Sequence, residues 1–523
     1  MTGSGTVSVQ EHTSSDIDTG DSVYQHKAHV LNDAFQEVGM GRYQWSLFVL
    51  TGFGYFADNL WPIATGLILP PVVAEFHFNG PFLKLGQSIG FLVGAAFWGV
   101  GSDIWGRRIS FNVTLLITGV FAIAAGGSPN FVVLASLAAA WSVGVGGNLP
   151  VDSAIFLEFV PATHQYLLTL LSIWRALGQL FGSLIAWPLV ANFSCPTKKG
   201  SSVCPRSLNQ GWRYFLFTMG GLMLVLWAIR FFVFTLYESP KYLMGKGRDE
   251  DAVAVVHKVA AHNGVTSTLT LKDLSRFAGH GDVGSSKSQV GKAKDTDAGL
   301  NGYTSNVTKA IQRKLSMFDV NHVKPLFVTK KMAYSTSLLI VLWALIGLAF
   351  PLYMSFVTFY LASRGADFGD GSVDTTYRNA TILSAVGVPG ALLAGYMVEL
   401  PILGRRGTLS IATLLTGIFI LASTTSRTSN ELLGWNCAYS FTSNVMYGVL
   451  YAITPELFPT KDRGTGNGIT ATVYRGFGVL APIIALFADL TTSVPIFISG
   501  AILMVAGLVA LALPYEPRGK ASL

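Results

Sequence analysis

Gly99-Val100-Gly101-Ser102-Asp103-Ile104-Trp105-Gly106-Arg107-Arg108 is answered later in the chain by Gly395-Tyr396-Met397-Val398-Glu399-Leu400-Pro401-Ile402-Leu403-Gly404-Arg405-Arg406. Each stretch has a small residue, an acid four positions on, and then Gly-Arg-Arg. Each also follows an apolar run of the length that crosses a bilayer, about 20 residues. Working outward, two more features recur in the same order. Glu158-Phe159-Val160-Pro161 matches Glu456-Leu457-Phe458-Pro459, and Ile173-Trp174-Arg175-Ala176-Leu177-Gly178 matches Val473-Tyr474-Arg475-Gly476-Phe477-Gly478. Three matches in register mark a chain built from two repeated halves.

Composition points the same way. Of 523 residues, 50% are hydrophobic and 12% charged, against about 25% charged in a typical soluble domain. The first 44 residues hold 8 of the 65 charges and residues 238–333 hold 24. The remainder is too sparsely charged to face water, which excludes a string of soluble domains. Three cysteines exclude a disulfide scaffold. Twelve segments qualify as spans, at 45–70, 85–102, 109–127, 131–153, 167–191, 213–236, 334–362, 379–400, 408–425, 434–455, 468–489 and 493–514. The alternation of a transmembrane β-barrel is absent. The expected fold is therefore an all-α membrane protein with twelve transmembrane helices in two pseudo-symmetric six-helix halves. A disordered N-terminal tail (1–44) precedes the first half (45–237). A linker (238–333) carries an amphipathic helix over 248–262 and a disordered stretch over 277–305. The second half (334–514) and a short tail (515–523) follow. Gly86, Gly90 and Gly94, spaced four apart, predict close helix packing.

Lys and Arg set the orientation. The side holding both termini collects 25 of the 36, although 15 of these lie in the long linker and weigh little. The paired arginines of the short loops, Arg107–Arg108 and Arg405–Arg406, place those loops and both termini in the cytoplasm, with the plasma membrane as the expected location. The net charge of +7 is then orientation charge rather than a nucleic-acid surface. Cys195 and Cys204 share the opposite loop between spans five and six, either as a disulfide in an oxidising compartment or as two thiols. His257 and His262 lack acidic or Cys partners at ligand spacing, so no metal site is expected.

The Gly-x-x-x-Asp-x-x-Gly-Arg-Arg stretch resembles the most recognisable loop of the major facilitator superfamily, and the resemblance covers about residues 40–516. Tyr237-Glu238-Ser239-Pro240-Lys241-Tyr242-Leu243 resembles the sugar-porter signature after span six. Pro455-Glu456-Leu457-Phe458-Pro459-Thr460 with Arg463, and Glu516-Pro517-Arg518-Gly519, resemble the later ones. The run from Gly144 through Asn148 to Asp152 is similar to the synaptic-vesicle-glycoprotein-type and phosphate-porter branches, and the overall pattern to fungal members of the former. Two departures matter. Span seven, from Trp343 to Tyr353, lacks the paired glutamines and asparagine of sugar porters, and Asn148 and Trp61 stand where phosphate porters carry acids. The resemblance implies the major facilitator fold, alternating access, a substrate site between the halves and a monomeric carrier in the bilayer.

Ionisable residues within a span are functional candidates because burying them is costly. Asp58 lies thirteen residues into span one, and the resemblance puts it at the proton-accepting position of proton-coupled members. Asp152, deep in span four, is the second proton-coupling candidate, facing either a cavity or an arginine. A gating charge network is expected from Asp103, Arg107, Arg108, Glu158, Arg175, Glu399, Arg405, Glu456 and Arg475. In it, Arg175 and Arg475 are counterions for Glu158 and Glu456 or for Asp103 and Glu399. Arg230, late in span six, is expected to snorkel to the interface. Asn59, Asn148, Trp343, Tyr353 and Tyr447 are the substrate-binding candidates.

The expected function is proton-coupled symport of a small polar organic solute, an organic acid or sugar-like molecule, with the proton gradient as driving force and no cofactor. A Gly-x-x-x-x-Gly-Lys nucleotide loop is absent, as is any nucleophile–base pair, so an enzyme is not expected. The competing readings are proton-driven export of a metabolite or drug, and a non-transporting membrane sensor.

Overall fold

In the computed structural model, residues 19–105, 107–164, 167–195, 204–245, 247–275, 324–354, 372–398, 400, 403–458, 463–487 and 493–514 are described. Glu399 and the side chain of Asp103, two of the expected gate acids, lie outside that description, as does the 277–305 stretch. The described residues form helices and no strands. Span one is Arg42–Phe76, span two Pro81–Trp105 and span three Arg107–Gly126. Span four is broken at Gly147 into Phe131–Gly146 and Asn148–Phe159. Span five is Ser172–Phe193, and span six is Gly211–Ala228 continued by a π-helical turn, Ile229–Val233. The second half contributes Lys330–Met354, Val373–Met397, Gly404–Ser423, Ser429–Leu457, Arg463–Phe487 and Val494–Leu511 as spans seven to twelve.

Among the described residues, nine of these helices meet a strict length-and-hydropathy test for crossing a membrane. Large apolar side chains such as Val93, Phe97, Phe232 and Leu508 are exposed on the outside of the bundle, where lipid replaces water. At the face away from the termini spans four, eight and ten start on side-chain caps. Asn130 accepts from Val133 N at 3.0 Å, Ser372 from Thr375 N at 3.1 Å and Thr428 from Glu431 N at 3.2 Å. Each cap satisfies one of the first-turn N–H groups that a helix cannot bond internally.

Small residues bring helix backbones together. A Cβ on Gly86 would meet Ala135 O at 3.2 Å, on Gly90 the Cβ of Ser142 at 2.8 Å, and on Gly94 the Cα of Val143 at 2.8 Å. Spans two and four thus lie groove to groove, as the four-residue glycine spacing predicts. The repeated aromatic-Arg-x-x-Gly motif lies on a span that packs against the first span of its own half in each case. The Trp174 indole of span five sits against Gly52 of span one, and the Tyr474 backbone of span eleven against Gly347 of span seven.

The first 44 residues are not wholly tail. Thr19–Val38 is a helix, and Leu31, Ala34, Phe35 and Val38 are buried. Their i, i+3, i+4, i+7 spacing is one apolar face of a helix, hidden in the sequence by polar neighbours. Phe35 meets Phe159 edge-on with ring centroids 5.9 Å apart. The linker helix Asp249–Asn263 lies on the same face. Lys27 pairs with Asp249 at 2.5 Å, and Asn263 Nδ2 donates to Gln44 Oε1 at 2.8 Å. Tyr43 stacks on Tyr237, centroids 5.4 Å apart, so the end of span six, the linker helix and the start of span one form one layer.

Candidate functional site

Span one runs as one helix through Pro62, which has no N–H to give the carbonyl of Asp58 four residues earlier. Asp58 is 5% exposed, and its carboxylate is held by Arg475 of span eleven. This pair joins the two halves. The Arg475 guanidinium also lies over the Phe91 ring of span two, 4.8 Å from its centroid. Beside the pair opens a cleft between the halves. Asp58, Asn59, Gln87, Ser88, Phe91 and Gln179 line it from the first half, and Phe350, Pro351, Met354, Tyr474, Arg475 and Gly478 from the second. The mix of aromatic, apolar and few polar walls suits a small organic molecule.

Of the expected substrate residues, Asn59 lines the cleft, while Asn148, Trp343, Tyr353 and Tyr447 are not among its walls. Asn148 is wholly buried at the break in span four. Trp343 donates to Thr454 Oγ1 at 2.9 Å, and Tyr353 packs edge-on against Tyr439 with centroids 4.7 Å apart. Tyr447 lies behind Phe350, centroids 4.8 Å apart. The amide walls missed from sequence are Gln87 and Gln179. A lone amide inside an apolar span was the available signal, since such groups need a partner or a cavity.

Asp152 faces an arginine, and that arginine is Arg230. The Asp152 Oδ2–Arg230 Nη2 distance is 2.7 Å, with neither side chain exposed. Arg230 therefore does not snorkel. The π turn at Ile229–Val233 adds a residue to the helical circuit and aims the side chain into the bundle. There its Nε and Nη2 donate to Leu50 O at 3.0 and 2.6 Å, and its Nη1 to Phe111 O at 3.0 Å. Gly54 makes room: a Cβ there would overlap the Asp152 carboxylate.

The gate charges pair differently from expectation. Glu158 is held by Arg107, and Glu456 by Arg405 with Nη2–Oε1 at 2.9 Å. The partners are 51 residues apart in each half, so the two bridges are repeats of one another. Arg175 and Arg475 are not their counterions, because both lie deeper in their spans and point at the other half. Arg107 N also donates to Glu238 Oε1 at 3.2 Å, tying the loop after span six to the start of span three. Arg108 is exposed. Arg175 rests on rings, 3.4 Å from the Tyr447 centroid and 5.1 Å from that of Phe350.

On the face away from the termini the halves are joined by spans five and eight. Trp187 Nε1 donates to Asp374 Oδ1 at 2.8 Å, and the Ser183 and Ser384 hydroxyls are 2.9 Å apart. Tyr377 of span eight also donates to Leu67 O of span one. Cys195 and Cys204 are joined in a disulfide.

Comparison with known proteins agrees with this architecture. The model of the Major Facilitator Superfamily matches residues 45–398 and 372–523. "MFS siderochrome iron transporter 1" of Ceriporiopsis subvermispora is 58% identical over 96% of this chain and 93% of its own length. "Major facilitator-type transporter hxnZ" of Emericella nidulans is 39% identical over 96% of this chain and 88% of its own. Among solved structures, the proton:xylose symporter XylE bound to 6-bromo-6-deoxy-D-glucose superposes with a TM-score of 0.64 at 15% identity, covering 92% of this chain and 98% of that one. The repeated halves, the cleft between them and these matches together place the chain in the Major Facilitator Superfamily, as an integral multi-pass membrane transporter of the major facilitator fold rather than an enzyme.

Proposed function

We propose that this transporter is a proton-coupled symporter of a small polar organic solute, working by alternating access. The observation that carries the proposal is the Asp58–Arg475 pair, a carboxylate of one half answered by a guanidinium of the other at the wall of the cleft. A proton taken up by Asp58 removes the negative charge that Arg475 answers and loosens the tie between the halves. Loss of that proton on the opposite side restores the tie. Such a link has two discrete arrangements, which is what a rocking pair of rigid bodies requires. In this scheme Asn59, Gln87 and Gln179 bind the solute beside the proton site, and the bridges of Glu158 and Glu456 brace the gate face of each half. Asp152, locked to Arg230, holds spans one, three, four and six together.

The carrier acts as a monomer in the plasma membrane with both termini cytoplasmic; the paired arginines at the ends of spans two and eight support that orientation. A second reading of the cargo, an iron–siderophore chelate, rests on the name of the 58% identical fungal relative. The test is uptake into proteoliposomes with an inward proton gradient, using radiolabelled small carboxylates, nicotinate, hexoses, phosphate and a ferric hydroxamate siderophore. The proposal expects one solute class to accumulate and a protonophore to abolish that accumulation. Accumulation that survives the protonophore contradicts it.

A further inference from the structure

Three arginines of the spans, Arg213 and Arg230 buried and Arg475 partly so, have a carboxylate. Arg213 meets Glu75 at 2.7 Å, Arg230 meets Asp152 at 2.7 Å, and Arg475 meets Asp58. Arg175 is the exception among the described residues. It is 2% exposed, forms no ion pair with them, and its Nε has no hydrogen-bond partner. The faces of Tyr447 and Phe350 return part of the lost hydration of a guanidinium, but a ring quadrupole offers less than a carboxylate does. The charge is thus left under-compensated inside the bundle.

Its position gives that charge a use. Gln179, one helical turn along span five on the same face, is a wall of the cleft, and so is Phe350, whose ring Arg175 touches. Tyr474, another wall, has its hydroxyl 3.3 Å from that of Tyr447. Arg175 therefore stands at the margin of the cleft, behind Phe350. Arg475 approaches the same cleft from the opposite half, but its charge is already taken by Asp58.

We propose that Arg175 is the recognition site for a negatively charged group on the solute, a carboxylate, and that the carrier's substrates are small organic acids with an apolar or aromatic body. The guanidinium fork matches a carboxylate in two parallel hydrogen bonds, and the free Nε is one of the donors. Phe350, a wall of the cleft, supplies a face against which the body of the acid stacks. The inference rests on the proton-coupled reading for one consequence. A proton on Asp58 together with a monoanion at Arg175 adds no net charge to the carrier, so a pH gradient drives accumulation and a membrane potential alone does not.

The test uses the full-length protein in proteoliposomes and measures counterflow exchange, which needs no gradient. The probes are acids beside neutral counterparts: nicotinate with nicotinamide, benzoate with benzyl alcohol, and gluconate with glucose. The expected result is exchange of at least one acid, with its neutral counterpart at least tenfold poorer. Arg175→Gln raises KM for that acid at least tenfold, and Arg175→Lys, which keeps charge but loses the fork, falls between. Each variant is first shown to be monodisperse with an unfolding temperature near wild type, and Arg175→Lys serves alone if the glutamine variant does not fold. Neutral members exchanging as well as acids, an unchanged KM in both variants, or no acid exchanging on folded wild type would each overturn the proposal. Arg175-dependent acid exchange with protonophore-insensitive accumulation would leave the anion site standing and remove the proton-coupled reading. Protonophore-sensitive accumulation of a neutral solute would do the reverse.

Discussion

Arg230 donates to Asp152 across 2.7 Å in the interior of the first half, with neither side chain reached by solvent. The guanidinium ties four spans at once, because it also binds the carbonyls of Leu50 and Phe111. Removing one member leaves a buried charge without its partner, which costs about 3–5 kcal/mol. We therefore expect Asp152→Asn and Arg230→Met each to lower the thermal unfolding midpoint sharply. The double change to apolar residues of similar volume is expected to recover much of the loss. Gly54→Ala should behave like the single variants, since its methyl group would occupy the space of the Asp152 carboxylate. Unfolding in detergent, followed by tryptophan fluorescence, reads all four.

The seam between spans two and four gives a steric prediction. Gly90 has the Ala139 carbonyl and the Ser142 side chain where a Cβ would go, and backbone cannot retreat as a flexible side chain can. Gly90→Ala should cost about 1–3 kcal/mol, the usual penalty of overpacking, and Gly90→Leu should abolish monodisperse protein. Gly221 has open space around it, so Gly221→Ala should be neutral within about 0.5 kcal/mol. Unfolding midpoints and size-exclusion profiles separate the two sites.

The N-terminal helix is anchored by Phe35, 2% exposed against Phe159. Truncating Phe35 to Ala should cost about 3–5 kcal/mol of local docking energy. Backbone amides of Thr19–Val38 should then exchange hydrogen faster while those of span one stay protected. Uniform loss of protection through both would show that the helix is part of the core of the first half rather than a docked layer.

The paired bridges Arg107–Glu158 and Arg405–Glu456 are partly exposed and repeat one another. Double-mutant cycles to Gln and Ala should give coupling energies of the same sign in both halves. The magnitude should be about 1 kcal/mol or less, in the range of exposed pairs. Exchange rates of the transported solute provide the functional counterpart of that measurement.

How far the sequence carried the reading differs from residue to residue. The spans and their duplication were legible because apolar run length and the repeated Gly-Arg-Arg, Glu-x-x-Pro and aromatic-Arg-x-x-Gly stretches depend on local order alone. The partner of each charge was not. Arg107 and Arg175 are both within sequence reach of Glu158, and only depth along the bundle and side-chain direction decide between them. Arg230 was misread for a related reason: its distance from the span end fits snorkelling, and the π turn that redirects it has no signature in composition. The Thr19–Val38 helix was legible in principle from Leu31, Ala34, Phe35 and Val38, but polar neighbours masked the face.

The central claim is that Asp58 carries the coupling proton and that Arg475 reads its charge. Its most direct test is to compare, in proteoliposomes, gradient-driven accumulation and counterflow exchange for wild type and Asp58→Asn. A neutral amide at position 58 mimics the protonated carboxylate and cannot release a proton. The account predicts that accumulation under an imposed pH gradient disappears in Asp58→Asn while exchange persists. Accumulation equal to wild type in Asp58→Asn would contradict it.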